Sequence, residues 1–434
     1  MIFLELAIVL AAIVFGARLG SIGIGFAGGL GVLALALLGV KPGTIPIGVL
    51  LIIMSVISAI AAMQVAGGLD YLVSLAEKLL RKNPKHITIF APLVTYTMTV
   101  MAGTSHTSFS TLPIIAEVAK EQGVRPSRPL SIAVVASLIA ITASPISAAV
   151  VYMATIMGGI GVDYLQILMV CIPTTLLGVI LAAFVTNFLG KDLKDDEVYQ
   201  QRKKEGKVVL RGASNIEILP YAKRSVWIFV STIVLVTSYA ILTSDLVSII
   251  PKEKIILTRD NAIMILMLSA AATISLSCKI NTSQVLNANT FKSGMSACVC
   301  LLGVAWLGST FITARMDEIT MLAGNMLQNF PWMLAIILFF SSMLLYSQSA
   351  TAIALIPMAI ALGATPVTIL ASFVAAGALY FLPTYPTLLA AVEMDDTGST
   401  RIGRYVFDHP FTIPGLCAIF FSVVLGFIWG GIVL

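Results

Sequence analysis

The sequence predicts an all-α polytopic membrane protein. Three observations carry that prediction: a composition poor in charge, long apolar runs, and two matching pairs of helix-breaking clusters inside those runs. Of 434 residues, 58% are hydrophobic and 11% charged, whereas a soluble domain carries roughly 25% charged residues. Apolar stretches long enough to span a bilayer run at about 2–17, 20–40, 46–66, 130–157, 164–189, 225–244, 260–278, 293–313, 367–392 and 410–434. The first pair of breaks is Gly103-Thr104-Ser105-His106-Thr107-Ser108 and Thr142-Ala143-Ser144-Pro145-Ile146-Ser147. The second is Ser347-Gln348-Ser349-Ala350-Thr351 and Pro383-Thr384-Tyr385-Pro386-Thr387. An unpaired amide inside a bilayer costs several kcal/mol, so irregular backbone survives there only where it lines a protein cavity. Duplicated breaks at midplane depth point to a binding site of the secondary-transporter kind.

Two further apolar segments, 87–102 and 331–346, each reach a polar tip after 16 residues, and the return arms 107–119 and 350–362 hold 13 residues each. At about 1.5 Å per residue these arms reach roughly 20–24 Å, short of the roughly 30 Å hydrocarbon core. They are expected to be re-entrant hairpins. Charge supports this. With Met1 outside and both segments folded as hairpins, 21 of the 26 Lys and Arg lie in inside loops, nine of them between Lys191 and Arg224. A single crossing by 87–119 would put that basic loop outside while Arg81 stayed inside, against the positive-inside rule.

The same topology makes two inverted repeats, 1–189 and 225–434, joined by a linker at 190–224 that is expected to be solvated and cytoplasmic. Both termini fall on the periplasmic side. Each repeat holds five spans and a hairpin, at 87–119 and 331–362, followed by a broken helix, at 130–157 and 367–392. Ser110-Thr111-Leu112-Pro113-Ile114 also resembles Ala354-Leu355-Ile356-Pro357-Met358. Asp70 to Lys85 and, more weakly, Asp317 to Gln328 alternate apolar and charged residues at helical spacing, which suits an interfacial helix before each hairpin. The net charge of +5 reflects basic inside loops and does not suggest nucleic acid. No signal peptide is apparent after Met1. The five cysteines lie in apolar runs and read as small core residues.

No Arg, Lys, Asp or Glu is placed deep in a span, which argues against paired-carboxylate catalysis and against a buried acidic proton relay. His106 is the ionisable group near a hairpin tip; it either titrates or donates a neutral hydrogen bond. An anion can still be bound, because a helix N-terminus presents free N–H groups and about half a positive charge. The tips at 103–108 and 347–351 each begin a return arm, and the breaks at 142–147 and 383–387 add two more N-termini. Hydroxyls come from Thr104, Ser105, Thr107, Thr142, Ser144, Ser147, Ser349, Thr351, Thr384 and Thr387. An isolated Ser or Thr in such a helix usually bonds its own backbone; four clusters in duplicated context favour function. Pro145, Pro383 and Pro386 free carbonyls that either hold a cation or mark a kink. Glu77, Arg81 and Arg125 flank the inside mouth of the first hairpin, where they steer anions or pair with one another. Asp395-Asp396-Thr397-Gly398 is a helix stop with solvated acids, or else a gate or partner contact. Gly23-Ile24-Gly25-Phe26-Ala27-Gly28 matches a dinucleotide pattern without the strand that motif needs; Gly25 and Gly29 read instead as small-residue helix packing.

At these residues the chain resembles the Dcu family of anaerobic C4-dicarboxylate transporters, most closely its aspartate/fumarate type. The resemblance rests on Gly16-Ala17-Arg18, Gln64-Val65-Ala66-Gly67-Gly68-Leu69-Asp70, Glu77-Lys78-Leu79-Leu80-Arg81, the break at 142–147, Tyr346 through Thr351, Leu382 through Thr387, and Asp395 through Gly398. It covers essentially the whole chain. It implies an inner-membrane carrier of fumarate, succinate, malate and aspartate in a Gram-negative bacterium, with fumarate/succinate exchange in anaerobic respiration. It also implies elevator-like displacement of the hairpin domain, as in the broader ion-transporter superfamily. Expected partners are the dicarboxylates and lipid, with a homodimer and a regulatory membrane protein as candidates. No cofactor or metal is expected. The alternatives are a sodium- or proton-coupled carrier of another organic anion and, from a different class, an intramembrane hydrolase built on a Ser/His pair.

Overall fold

The computed structural model describes residues 2–19, 21–45, 47–210, 212, 217–243, 255–345, 347–383, 385–403 and 408–434. Among them every regular element is helical. The first half contains α1 (Ile2–Leu19), α2 (Ser21–Leu37), α3 (Ile47–Val65), α4 (Gly68–Lys82), α5 (Ile87–Ala102), α6 (Ser108–Glu121), α7 (Ser127–Ala140), α8 (Ala148–Gly158) and α9 (Tyr164–Thr186). A short α10 (Glu197–Lys204) lies in the linker. The second half contains α11 (Ala222–Leu242), α12 (Arg259–Ser277), α13 (Asn289–Asn329), α14 (Met333–Leu345), α15 (Gln348–Ala361), α16 (Pro366–Phe373), α17 (Pro386–Met394) and α18 (Thr412–Val433). Among the described residues six helical segments are long and apolar enough to cross a bilayer, including 127–158 taken as one broken helix.

Local chemistry explains the boundaries. Asp163 and Gln166 form a capping box at the start of α9, which satisfies two orphan donors at once. Thr258 caps α12, and Thr365 caps α16 with Pro366 in its first turn, where a missing N–H costs nothing. The arms α5 and α6 have 16 and 14 residues, and α14 and α15 have 13 and 14. At about 1.5 Å per residue, none reaches the roughly 30 Å of a hydrocarbon core.

The expected helix at 317–328 is set off from the rest of α13 by a kink. In all, α13 has 41 residues and non-helical backbone at Arg315 (φ −127°, ψ 20°). The kink sits where Arg315 forks onto Glu5 of α1, with Nε and Nη2 each 2.6 Å from a carboxylate oxygen, and onto Glu318 at 2.7 Å. The bend is thus held by charge-assisted bonds across the fold.

The glycine reading also changes in detail. Gly29 faces open space, whereas Gly28 and Gly25 meet Gly303 of α13 so closely that a Cβ on Gly303 would lie 1.9 Å from the Gly25 carbonyl oxygen. Two backbones touch there because neither carries a side chain. The described cysteines are free; Cys171, Cys278 and Cys298 are buried and Cys417 is half-buried.

The linker, expected as a solvated connection, is mostly exposed, and several of its groups are tied to the helices around it. Arg125, just before α7, pairs with Asp196, and Arg128 on α7 bonds the Leu189 carbonyl at 2.7 Å and the Gly190 carbonyl at 2.9 Å. Asp196 also caps α10 by accepting from the N–H groups of Val198 and Tyr199. Arg81 donates to Glu77 (2.9 Å), to Glu121 (2.8 Å) and to the Gly212 carbonyl (2.8 Å). The Gly212 N–H donates to Glu117 on α6 at 3.2 Å. Asp395, by contrast, is not solvated. It is buried and accepts from the Thr397 N–H and hydroxyl, the Ser399 hydroxyl and the Thr400 N–H. Opposite charges separated in sequence meet here and dock the linker onto the hairpin ends.

Two predictions follow from packing and charge. Gly303→Ala should cost on the order of 1–3 kcal/mol by overpacking α13 against α2, read as a lower melting temperature of the detergent-solubilised protein; an unchanged melting temperature contradicts the contact. Burial raises the Asp196 carboxyl, but N–H donation and the Arg125 charge lower it by more, so it lies below its ordinary value of 3.8. A depressed carboxyl contributes stability above its unfolded value and loses it as pH falls through the folded one. Protease sensitivity of the linker should therefore stay flat from neutral pH down to about 4 and rise only below that; a rise already at pH 6 contradicts the pair.

Candidate functional site

The first tip is built by a left-handed glycine and a threonine cap. Gly103 ends α5 with φ 66°, and its N–H bonds the Thr99 carbonyl at 2.8 Å. A Cβ there would lie 3.2 Å from Ile146, so strain and space both favour glycine. Thr104 is extended (φ −146°, ψ 138°), and its hydroxyl accepts the His106 N–H at 3.3 Å. The second tip repeats this cap: Ser347 is extended (φ −157°, ψ 123°) and accepts the Ala350 N–H at 3.1 Å. Such caps satisfy one orphan N–H and leave others free to face a ligand.

Both tips open on one cavity of about 170 Å³, below the roughly 300–1,000 Å³ of sites for drug-sized ligands. It is lined by Gly103, Thr104, Ser105 and His106 from the first tip and by Ser347, Gln348 and Ser349 from the second. Ala148, first residue of α8, and Tyr385, which precedes α17, also line it. Four helix N-termini therefore border the same space. Among the described residues, no Lys, Arg, Asp or Glu lines it.

Other predicted residues build the cavity without lining it. Thr107 donates to the Thr104 carbonyl (3.2 Å), Thr142 to Ile139 (2.7 Å), Ser144 to Val100 on α5 (2.7 Å) and Ser147 to Ile141 (2.7 Å). Ser147 also caps α8 through the Val150 N–H. The Pro145 carbonyl accepts the Tyr164 hydroxyl at 2.6 Å. Thr351 donates to the Ser347 carbonyl at 2.8 Å. Gln348 does both: it lines the cavity, and its Nε2 donates to the Leu138 carbonyl at 3.1 Å, tying the second tip to α7. The Tyr385 hydroxyl faces the Ser105 side chain, so the first tip meets the second break. Thr387 is buried with its hydroxyl unpartnered among the described residues, Pro383 is half-buried and Pro386 exposed. Thr384 and Tyr346 lie outside the described residues.

His106 stacks on Phe109 with ring centroids 5.8 Å apart. Among the described residues no serine hydroxyl bonds its ring. Glu77, Arg81 and Arg125 stand away from the cavity, and both guanidinium groups are engaged by carboxylates. They hold the linker rather than present free positive charge.

The far wall was not anticipated. It consists of Ile53, Val56, Ile57 and Ile60 on α3, with Thr290 and Gly294 on α13. The spacing of the α3 residues marks one helix face, but nothing in the sequence says which face a cavity meets. Thr290 is fixed by Gln64, whose Oε1 accepts both its N–H (3.2 Å) and its hydroxyl (2.7 Å).

Known proteins agree with this architecture. The profile of the family described as anaerobic C4-dicarboxylate membrane transporter matches residues 1–434. The C4-dicarboxylate transporter DcuA of Wolinella succinogenes is 62% identical over 435 residues, covering 100% of both chains. Escherichia coli K12 DcuA is 58% identical with the same coverage. The anaerobic C4-dicarboxylate transporter DcuB of Escherichia coli O6:H1 is 37% identical over 98% of both. Among solved structures, Neisseria gonorrhoeae MtrF matches with TM-score 0.57 at 15% identity, over 86% of this chain and 80% of its own. The Alcanivorax borkumensis YdaH transporter matches with TM-score 0.58 at 13% identity, over 88% and 85%. These two share the fold alone. The family match over the whole chain and these full-length relatives place the chain in the DcuA/DcuB family of anaerobic C4-dicarboxylate membrane transporters.

Proposed function

We propose that this protein carries C4-dicarboxylates across the bacterial inner membrane by alternating access. It exchanges external fumarate or aspartate for internal succinate or fumarate; malate is a further substrate. In this reading the two halves are inverted repeats, α5–α6 and α14–α15 are re-entrant hairpins, both termini are periplasmic and the linker is cytoplasmic. The body holding the hairpins and broken helices moves as an elevator against the rest.

The observation that carries the reading is the meeting of four helix N-termini at one small cavity without a cationic side chain. Each N-terminus is equivalent to about +0.5 charge, so four amount to roughly +2, the size of a dicarboxylate's charge. The named relatives are C4-dicarboxylate transporters, which supports the substrate class.

A proton-coupled carrier is the second reading, favoured by His106 at the cavity wall. Purified protein in liposomes separates the two. Labelled fumarate should enter only when fumarate, succinate or aspartate is trapped inside; uptake into empty liposomes driven by a pH gradient overturns exchange and favours coupling. Peptide cleavage without uptake would instead mark a hydrolase.

Thr104→Ala and Ser347→Ala each remove an N-cap worth about 0.5–2 kcal/mol. Each should raise KM for fumarate by roughly 2- to 30-fold with insertion intact. Unchanged kinetics in both variants would count against the site.

A further inference from the structure

We propose that Lys120 and Asp396 are positioning residues for the anion site, and that Val209 couples the linker to that site through them. This deepens the proposed function and rests on it. The helices α6 and α17 pack against each other. Both begin at the cavity, through the first tip and Tyr385. Both end at one cluster. Lys120 is the penultimate residue of α6, and Asp396 lies just beyond Met394, the last residue of α17.

The Lys120 side chain is only 4% exposed. Its Nζ lies 2.9 Å from Glu117, 3.0 Å from Asp396 and 2.7 Å from the Val209 carbonyl. Three partners match the three donors of an ammonium. The Val209 N–H in turn donates to Asp396 Oδ2 at 3.2 Å. One linker peptide thus closes a ring with the ion pair. The other Asp396 oxygen is buried without a partner among the described residues, so this ring is what holds the carboxylate.

A helix transmits axial displacement well, because its rise per residue is fixed by its hydrogen bonds. Tying the far ends of α6 and α17 together therefore sets the offset between the two N-termini that face the anion. Pulling Val209 away leaves a buried ammonium and a half-buried carboxylate each short of a bond. Linker docking and the geometry of the site are then two faces of one equilibrium, and coupling of that kind is reciprocal.

The test inserts a protease site after Gly206, in the exposed turn of the linker, and reconstitutes the full chain in liposomes. Cleavage should raise KM for fumarate exchange about five- to twentyfold with Vmax little changed. Lys120→Met should give the same shift, cleavage should add nothing to it, and Lys120→Arg should restore most of the affinity. Reciprocally, saturating fumarate should slow cleavage several-fold. Unchanged KM after cleavage, or equal cleavage rates with and without fumarate in protein that exchanges fumarate, overturns the coupling. Lost Vmax at constant KM assigns the ion pair to stability alone and overturns the positioning role. Should Lys120→Met fail to insert, cleavage of the unmutated sequence still decides. Absence of exchange in the uncut, unmutated protein would fall on the proposed function instead.

Discussion

A backbone amide that leaves a helix inside a protein shielded from water must find another partner or face a ligand. The centre of this structure is an answer to that constraint. Four helices start there, and the side chains around them divide the work. Thr107, Thr142, Ser144, Ser147 and Thr351 bond backbone carbonyls near the breaks. Thr104 and Ser347 each accept one N–H. What remains toward the cavity is a set of donors with no cation behind them. The hydroxyl clusters that mark the sequence are therefore mostly masonry, and the positive field comes from the backbone they hold in place.

Backbone charge differs from side-chain charge in ways that suit a site for a small anion. An arginine can swing away on its long stem, or be captured by a nearby carboxylate, as Arg81 and Arg125 are at the linker. A helix dipole cannot rotate out of its helix. Recognition then depends on how four short helices are placed relative to one another. That explains why so many bonds tie them together: Ser144 to α5, Gln348 to α7, Tyr152 to the Ile353 carbonyl of α15. It also explains why changes far from the cavity can reach it.

Local chemistry was legible in the sequence. Gly103, Thr104, Ser347 and Pro366 mark helix ends within a few positions, and the hairpin arms, the breaks and the two tips at one cavity follow from them. Long-range pairing was not. Lys120 meets Asp396 across 276 positions, and Glu5 meets Arg315 across 310. Each looked like an ordinary charge near a helix end, because its partner is set by the fold and not by its neighbours. The contacts of the linker were hidden for the same reason. Nothing in the sequence says that groups of the linker meet Arg81 of α4, Lys120 of α6 and Arg125 just before α7. The α3 wall escaped because an apolar helix face toward lipid and one toward a cavity have the same composition.

That wall gives the proposed elevator movement a physical basis. The cavity has a polar side, made by the tips and breaks, and an aliphatic side made by Ile53, Val56, Ile57 and Ile60. Hydrogen bonds are directional and resist sliding, whereas aliphatic contact is non-directional and loses little as surfaces shift. The bonds that fix the polar side run mainly among the hairpins and broken helices themselves. Those that fix the far wall, from Thr290 to Gln64, join α13 to α3. In the proposed function the cargo sits at the seam between the two sets, with aliphatic side chains rather than directional bonds on the α3 side. A substrate held on that seam can stay bound to one body while the other provides a smooth surface past which it moves.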